Sequence, residues 1–410
     1  MSKLHIDDIQ ISYAGEDLSQ FGLFPLVAWY FLDVFSLREL FEQTVTVNKK
    51  RNHNRQRKPK QREFSDADMC LGLMILPILG IERIAQITER MSTETELAKL
   101  LGLSRFFDPS TGHEYLNQFG KWHVRQLDSI NHQLLLRHGA CSTQPIIVVD
   151  IDAQTHTLES RQREGAVVGY NRKKRGQPCY QWNVAFVCNE AVAQRLMAGN
   201  THCQRVVIEL LEEVTQQLDA QLIIIRLDGG YLSGELLNTL IEKGLQLCIS
   251  CRYDWVLSQG VCLDETKWQP IDENTRIYDV GQTPVVSTCC HPLRVVLVEK
   301  KQNPFPGSKS QRELFRYGIC ERLAFHLSAK GVYDFYHSRQ TIEQFFKEST
   351  GPFSAGKMPS QKLRANEAYL QLVTIAENCM LWFKKNFSLP NGCMTRCKRY
   401  EVSSFIMGPV

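Results

Sequence analysis

Two short apolar runs that end in carboxylates constrain the fold more than any other feature of this chain. The first, "PIIVVDIDAQT" (145–155), is β-branched and carries Asp150 and Asp152. The second, "QLIIIRLDGGY" (221–231), ends at Asp228 before two glycines. Runs this short and apolar read as buried strands. Between and after them lie amphipathic helical stretches, "CQRVVIELLEEVTQQLDA" (203–220) and "LSGELLNTLIEKG" (232–244), and further strand candidates at "YQWNVAFVC" (180–188), "AVAQRLMAGN" (191–200) and "LQLCISCRY" (245–253). Three strands followed by alternating helix and strand predict a mixed α/β sheet flanked by helices.

The texture differs on either side of this core. Residues up to about 140 read as helical, with apolar residues at helical spacing in 23–43 and 65–90, and with Ser65, Asp66 and Asp68 suited to the start of the second stretch. From Asp254 to Arg322 helical spacing gives way to alternating segments such as "RVVLVEKK" (294–301), which predicts a β-rich insertion. Helix returns at 327–349 and 360–387. The expected division is 1–140, an all-α domain for DNA binding or dimerisation; 141–253, the first part of the core; 254–322, the insertion; 323–390, the second, helical part of the core; and 391–410, a tail.

The chain has 410 residues and 43% apolar content, enough for a substantial core. Its net charge of +4 does not by itself demand a polyanionic partner, but the distribution is uneven. From Lys49 to Arg62 there are eight basic residues and no acid, among them Lys50, Arg51, Arg55, Arg57 and Lys58. A second basic run, Arg172, Lys173, Lys174 and Arg175, follows the first candidate strand. Such local positive fields attract phosphate. The fourteen cysteines are irregularly spaced and no apolar leader opens the sequence, so reduced thiols in a cytosol are expected. "CISC", "CCH" and "CMTRC" do not form the paired hooks of a zinc finger, and the cysteines of 245–253 read as small apolar strand residues. The longest apolar stretch, 73–81, is too short to span a bilayer.

Asp150 and Asp152, two apart on a strand, project to the same face. Asp228 ends its strand where ligands of α/β sheets gather. A third carboxylate lies in "YHSRQTIEQFFKEST" (336–350). On a helix, Tyr336, Arg339, Glu343, Lys347 and Thr350 fall within an arc of about 80°. Taken alone, Arg339, Glu343 and Lys347 form a surface ladder of i,i+4 pairs. Taken with the strand-borne acids, Glu343 completes a set of hard oxygen donors suited to two Mg²⁺ or Mn²⁺ ions, which promote in-line phosphoryl transfer on nucleic acid.

In order and spacing these blocks resemble the DDE transposases of bacterial insertion sequences, in the Tyr-x2-Arg-x3-Glu branch and close to insertion-sequence family 1380. "VVDIDAQT" resembles the first-Asp strand of that family, "GYNRKKRGQPCYQWNVAFV" its Gly-Tyr-Asn turn and second strand, "RLDGGYLSGELLNTLIEKG" its second-Asp block, and "YHSRQTIEQFFKES" its Tyr-Arg-Glu block. The resemblance implies an RNase H-like fold with Asp152, Asp228 and Glu343 as the ligands of two Mg²⁺ or Mn²⁺ ions, and with Asp150 as the rival to Asp152. It implies that Tyr336 and Arg339, helped by Lys347, contact DNA phosphates. It further implies double-stranded DNA as partner (transposon ends and target), a homodimer, no membrane and no small-molecule substrate, in a nucleoid-associated cytoplasmic protein. The family's Lys seven residues after Glu is here Thr350, which puts the handling of the transposon end in question. Trp255 and Trp268 are expected in the core of the insertion rather than against a displaced base. Two other activities stay open: a structure-selective nuclease using the same acids, and a transposase-derived DNA-binding protein in which those acids are only structural.

Overall fold

The computed structural model describes residues 21, 24–47, 62–171, 174–201, 203–302 and 313–386. Ten strands form one mixed sheet: β1 (Ile146–Thr157), β2 (Val167–Val168), β3 (Pro178–Val187), β4 (Glu190–Ala198), β5 (Leu222–Leu227), β6 (Gln246–Cys251), β7 (Gln269–Pro270), β8 (Thr275–Thr283), β9 (Leu293–Gln302) and β10 (Glu313–Arg322). The central five run β4-β3-β1-β5-β6. The β1/β3 and β3/β4 pairs are antiparallel, while β1/β5 and β5/β6 are parallel. An antiparallel meander that continues into two parallel strands is the expected RNase H-like arrangement.

The β-rich segment does not form a sheet of its own. β10 pairs antiparallel with β6, and β9, β8 and β7 lie successively outward, so the same sheet extends through the insertion. The physical reason is the β6 edge, whose unpaired N–H and C=O groups are satisfied by β10. Trp268 packs on Tyr278 with ring centroids 5.3 Å apart, and Arg276 lies 4.3 Å over the same indole, which places Trp268 within the fabric of the insertion. The two cysteines of β6 pack as small apolar side chains on opposite faces of the strand, Cys251 with the main core and Cys248 with a smaller cluster beneath Tyr336.

The longer helices that frame the sheet and the site are α1 (Asp66–Ile78), α2 (Lys121–His138), α3 (Cys203–Gln217), α4 (Gly234–Glu242), α5 (Ala329–His337), α6 (Gln340–Thr350) and α7 (Leu363–Asn386). Helix α1 opens on a reciprocal capping box: Ser65 Oγ accepts from the Asp68 N–H at 3.1 Å, and the Asp68 carboxylate accepts from the Ser65 N–H at 2.9 Å. It ends at Pro77 and Gly80, the latter at φ 70°, so the helical spacing of 65–90 is divided in two. The spacing of 23–43 is likewise interrupted, by a π turn at Tyr30–Val34 and by Ser36 at φ 51°.

Helix α7 is buried along almost its whole length and ties the N-terminal helices to the sheet, packing on α1, α2 and β4. Several of its polar residues tie it to its neighbours. Asn378 accepts from the Ala191 N–H at 3.0 Å and donates to Asn131 of α2 at 3.0 Å, and Trp382 Nε1 donates to Glu190 at 2.9 Å. Glu190, fully buried, also accepts from the N–H groups of Ala140 and Cys141 at 2.8 and 3.0 Å, which fixes the link from α2 into β1. Among the described residues no helix is long and apolar enough to cross a membrane.

Candidate active site

The parallel register of β1 and β5 sets Asp150 opposite Arg226 and Ile151 opposite Leu227. Asp152 and Asp228 each come at the same offset, two residues beyond the ion pair. The site therefore has two layers.

In the inner layer Arg226 holds Asp150 in a fork, Nε to Oδ1 and Nη2 to Oδ2, both at 2.7 Å and both side chains buried. Burial pushes the Asp150 carboxyl above its ordinary pKa, against the pull of Arg226. In the outer layer stand Asp152, half-buried, and Asp228, which opens the turn into α4 and accepts from Ser250 Oγ at 3.4 Å.

Helices α5 and α6 bring the remaining groups. The expected single helix through 336–350 is broken at Ser338 and Arg339. In a continuous helix the Phe335 carbonyl would accept from the Arg339 N–H. Here it accepts from Arg226 Nη1 at 2.5 Å and Ser338 Oγ at 2.8 Å, and the Arg339 N–H turns to the Tyr336 carbonyl at 3.4 Å. The guanidinium of Arg226 thus fastens the break to the inner layer.

Arg339 is delivered by this break onto the outer layer. Its Nη2 donates to Asp152 Oδ2 at 3.0 Å, so its ion pair is with the sheet and not with Glu343 one turn on. Tyr336 is buried beside it, and burial pushes its hydroxyl up to about 12, which keeps it a neutral donor at physiological pH. Glu343 and Lys347 lie on the exposed side of α6. The buried side of α6 packs Phe345 and Phe346 on Trp182 of β3, with centroids 5.8 and 5.5 Å away. Thr350 turns its hydroxyl back to the Phe346 carbonyl at 2.6 Å.

Asp152 senses the charge of both other acids. Burial raises the pKa of Asp152, Arg339 and the Ala153 N–H lower it, and the like charges of Asp228 and Glu343 raise it further. Oxygen donors that repel one another have the chemistry of a hard-cation site. Their spacing in this conformation does not: among the described residues no three His, Cys, Asp or Glu side chains are gathered closely enough to hold an ion. The guanidinium of Arg339 lies among the acids instead.

Lys174 and Arg175 are exposed on the turn after β2, where the Asn171 side chain accepts from the Lys174 N–H at 3.0 Å and donates to Thr157 of β1 at 2.9 Å. Arg172 and Lys173, and the run containing Lys49, Lys50, Arg51, Arg55, Arg57 and Lys58, lie outside the described residues. Sequence reasoning passed over Arg226 and Ser250. A lone arginine inside "LIIIRL" was the available signal for Arg226, since such a charge requires a buried partner; nothing local pointed to Ser250.

Fold and site together define a mixed α/β protein with acids and a guanidinium clustered at the carboxyl end of its central strands. The family model for the transposase DDE domain, group 1, matches residues 37–398, and the chain belongs to that family of DDE transposases. Among solved structures it is similar to the piggyBac transposase in a synaptic complex with hairpin DNA, at 12% identity and TM-score 0.46, covering 91% of this chain and 78% of that one. It is also similar to the Mos1 transposase in a paired-end complex with the left transposon end, at 12% identity and TM-score 0.19, covering 47% and 61%. No curated protein matches the chain.

Proposed function

We propose that this chain is the transposase of a bacterial insertion sequence of the 1380 type. It binds the terminal inverted repeats of its element as a homodimer, cuts there, and joins the freed 3′ ends to target DNA. The observation that carries this reading is the placement of Asp152 and Asp228 at the same offset beyond a sealed ion pair, with the charges of Asp228 and Glu343 both acting on Asp152. Asp150 is committed to Arg226, which leaves Asp152 as first acid.

Asp152, Asp228 and Glu343 are the residues to hold two Mg²⁺ or Mn²⁺ ions. When bound, such ions supply an activated hydroxyl and stabilise the leaving oxygen. The protein's own groups do the rest. Arg339 and Tyr336 bind and orient a backbone phosphate, Arg339 by its fork and Tyr336 as a neutral donor, and Lys347, Lys174 and Arg175 add positive field. The basic run 49–62 and the N-terminal region 1–140 grip the ends and pair two copies, 141–253 with 323–390 carries the acids, and 254–322 helps to hold DNA.

The test uses purified protein, Mn²⁺, a labelled duplex of the DNA flanking the reading frame, and a supercoiled target plasmid. A labelled strand joined through its 3′ end to plasmid is expected. Nicking of any duplex without joining would replace this reading with the nuclease. Activity undiminished in Glu343→Gln would leave the acids a structural role.

A further inference from the structure

We propose that Arg339 is the internal counter-ion of the acidic site, and that Asp152 is freed for a divalent cation only when a DNA phosphate draws the guanidinium away. The proposal rests on the reading of Asp152, Asp228 and Glu343 as cation ligands and adds to it an order of assembly.

Three observations converge. First, Arg339 is the cation paired with the outer acid: Nη2 is bonded to Asp152 at 3.0 Å, and Asp150 and Asp228 add to the field that holds the guanidinium charged. Asp150 is already gripped through both oxygens by Arg226, so the contact of Arg339 falls on the outer acid. The Asp152 oxygen that accepts this N–H gives a lone pair to Arg339, and the guanidinium charge beside the carboxylate repels a divalent cation that approaches it.

Second, the fork of Arg339 is half used. Its side chain is only 12% exposed, and its Nε is buried without a partner among the described residues. A buried N–H left unpaired is costly. A phosphate that takes Nε and Nη2 together satisfies the orphan and sets a second anion at the nitrogen now on Asp152, so the phosphate draws the guanidinium from the carboxylate.

Third, Arg339 sits at the break between α5 and α6 and not within a helix. Its backbone N–H makes only the long 3.4 Å contact to the Tyr336 carbonyl, because the Phe335 carbonyl is held by Arg226. The side chain can leave Asp152 without unwinding α5 or α6.

The consequence is reciprocal coupling: DNA strengthens cation binding and cation strengthens DNA binding by the same factor. A site that loads its ions only on DNA is protected from idle hydrolysis. The experiment reads binding and not activity, by electron paramagnetic resonance of free Mn²⁺ titrated with full-length protein, with and without a short pre-cut duplex of the flanking DNA. For the wild type, the duplex is expected to tighten Mn²⁺ binding about tenfold, within the usual range of such couplings. Arg339→Ala is expected to bind Mn²⁺ about tenfold tighter without DNA, with little further gain from duplex. Arg339→Gln, which keeps a neutral donor of similar length, should fall between and serves if the alanine variant does not fold. Mn²⁺ affinity in either folded variant equal to or weaker than wild type without DNA overturns the proposal while leaving the ligand assignment intact. No Mn²⁺ bound by any form, with or without duplex, overturns both.

Discussion

Arg226 and Asp150 face each other in register on adjacent parallel strands and join through two 2.7 Å bonds in a buried layer directly beneath the candidate acids. The same guanidinium reaches on to the Phe335 carbonyl and the Ser338 hydroxyl, so one side chain sets both the strand layer and the helix break above it. Removing one partner strands a buried charge. Arg226→Met should therefore lower stability by about 3–5 kcal/mol. Adding Asp150→Asn in that background should recover part of the loss, because the stranded charge is then gone. Urea unfolding of the two variants measures this, and a single-mutant loss below about 1 kcal/mol would show the pair to be dispensable.

The outer acids should behave in the opposite way. The charges of Asp228 and Glu343 both push up the Asp152 pKa. Asp228→Asn and Glu343→Gln should be neutral or slightly stabilising in thermal unfolding while reducing strand cleavage by on the order of 10³-fold. A variant that lost activity only in proportion to lost folded protein would argue for a structural carboxylate.

Gly169 lies where backbone meets backbone. A Cβ there would fall 1.6 Å from the Gly199 carbonyl oxygen, a contact that no side-chain rotation relieves. Gly169→Ala should displace the turn that presents Lys174 and Arg175 and cost about 1–3 kcal/mol, the usual range for forced overpacking. Chemical denaturation would show the loss, and DNA affinity should fall more than that of Gly176→Ala, whose Cβ would meet nothing within 4 Å although its φ of 78° adds local strain.

What could be read from the residues was what local chemistry decides. The acids at the strand ends, the Ser65 cap and the change of period after Asp254 each depend on a few neighbours in sequence. Arg226 opposite Asp150 depends on the register of two strands 76 positions apart, which no local pattern specifies. The break at Ser338 and Arg339 has neither proline nor glycine to announce it; its cause is a guanidinium from another strand taking a helix carbonyl. For the same reason the contact of Arg339 with Asp152, and not with Glu343 one turn on, was beyond reach of helical spacing alone. That the insertion extends the central sheet depends on which edge β10 finds, again a property of the assembled fold.

Glu377 makes the last prediction, and it concerns pH. It lies within α7, buried, and burial holds its carboxyl well above the ordinary value. Ser349 Oγ of α6 is 2.8 Å from the Phe345 carbonyl and 2.9 Å from Glu377 Oε2. A hydroxyl has one proton; when the Phe345 carbonyl receives it, the second contact is completed by a protonated Glu377 as donor. The helix that carries Glu343 is thus fastened to α7 by a neutral carboxylic acid. Because the folded pKa is raised, this group's contribution is fully present below the unfolded value near 4.5. It declines by about 1.4 kcal/mol per pH unit as pH rises from there toward the folded value. Glu377→Gln keeps a donor and removes the titration, so its stability relative to wild type should improve as pH rises from about 5 toward the folded value. Urea midpoints for both proteins across the range test it, and two parallel curves would mean that Glu377 is not held neutral in the folded state.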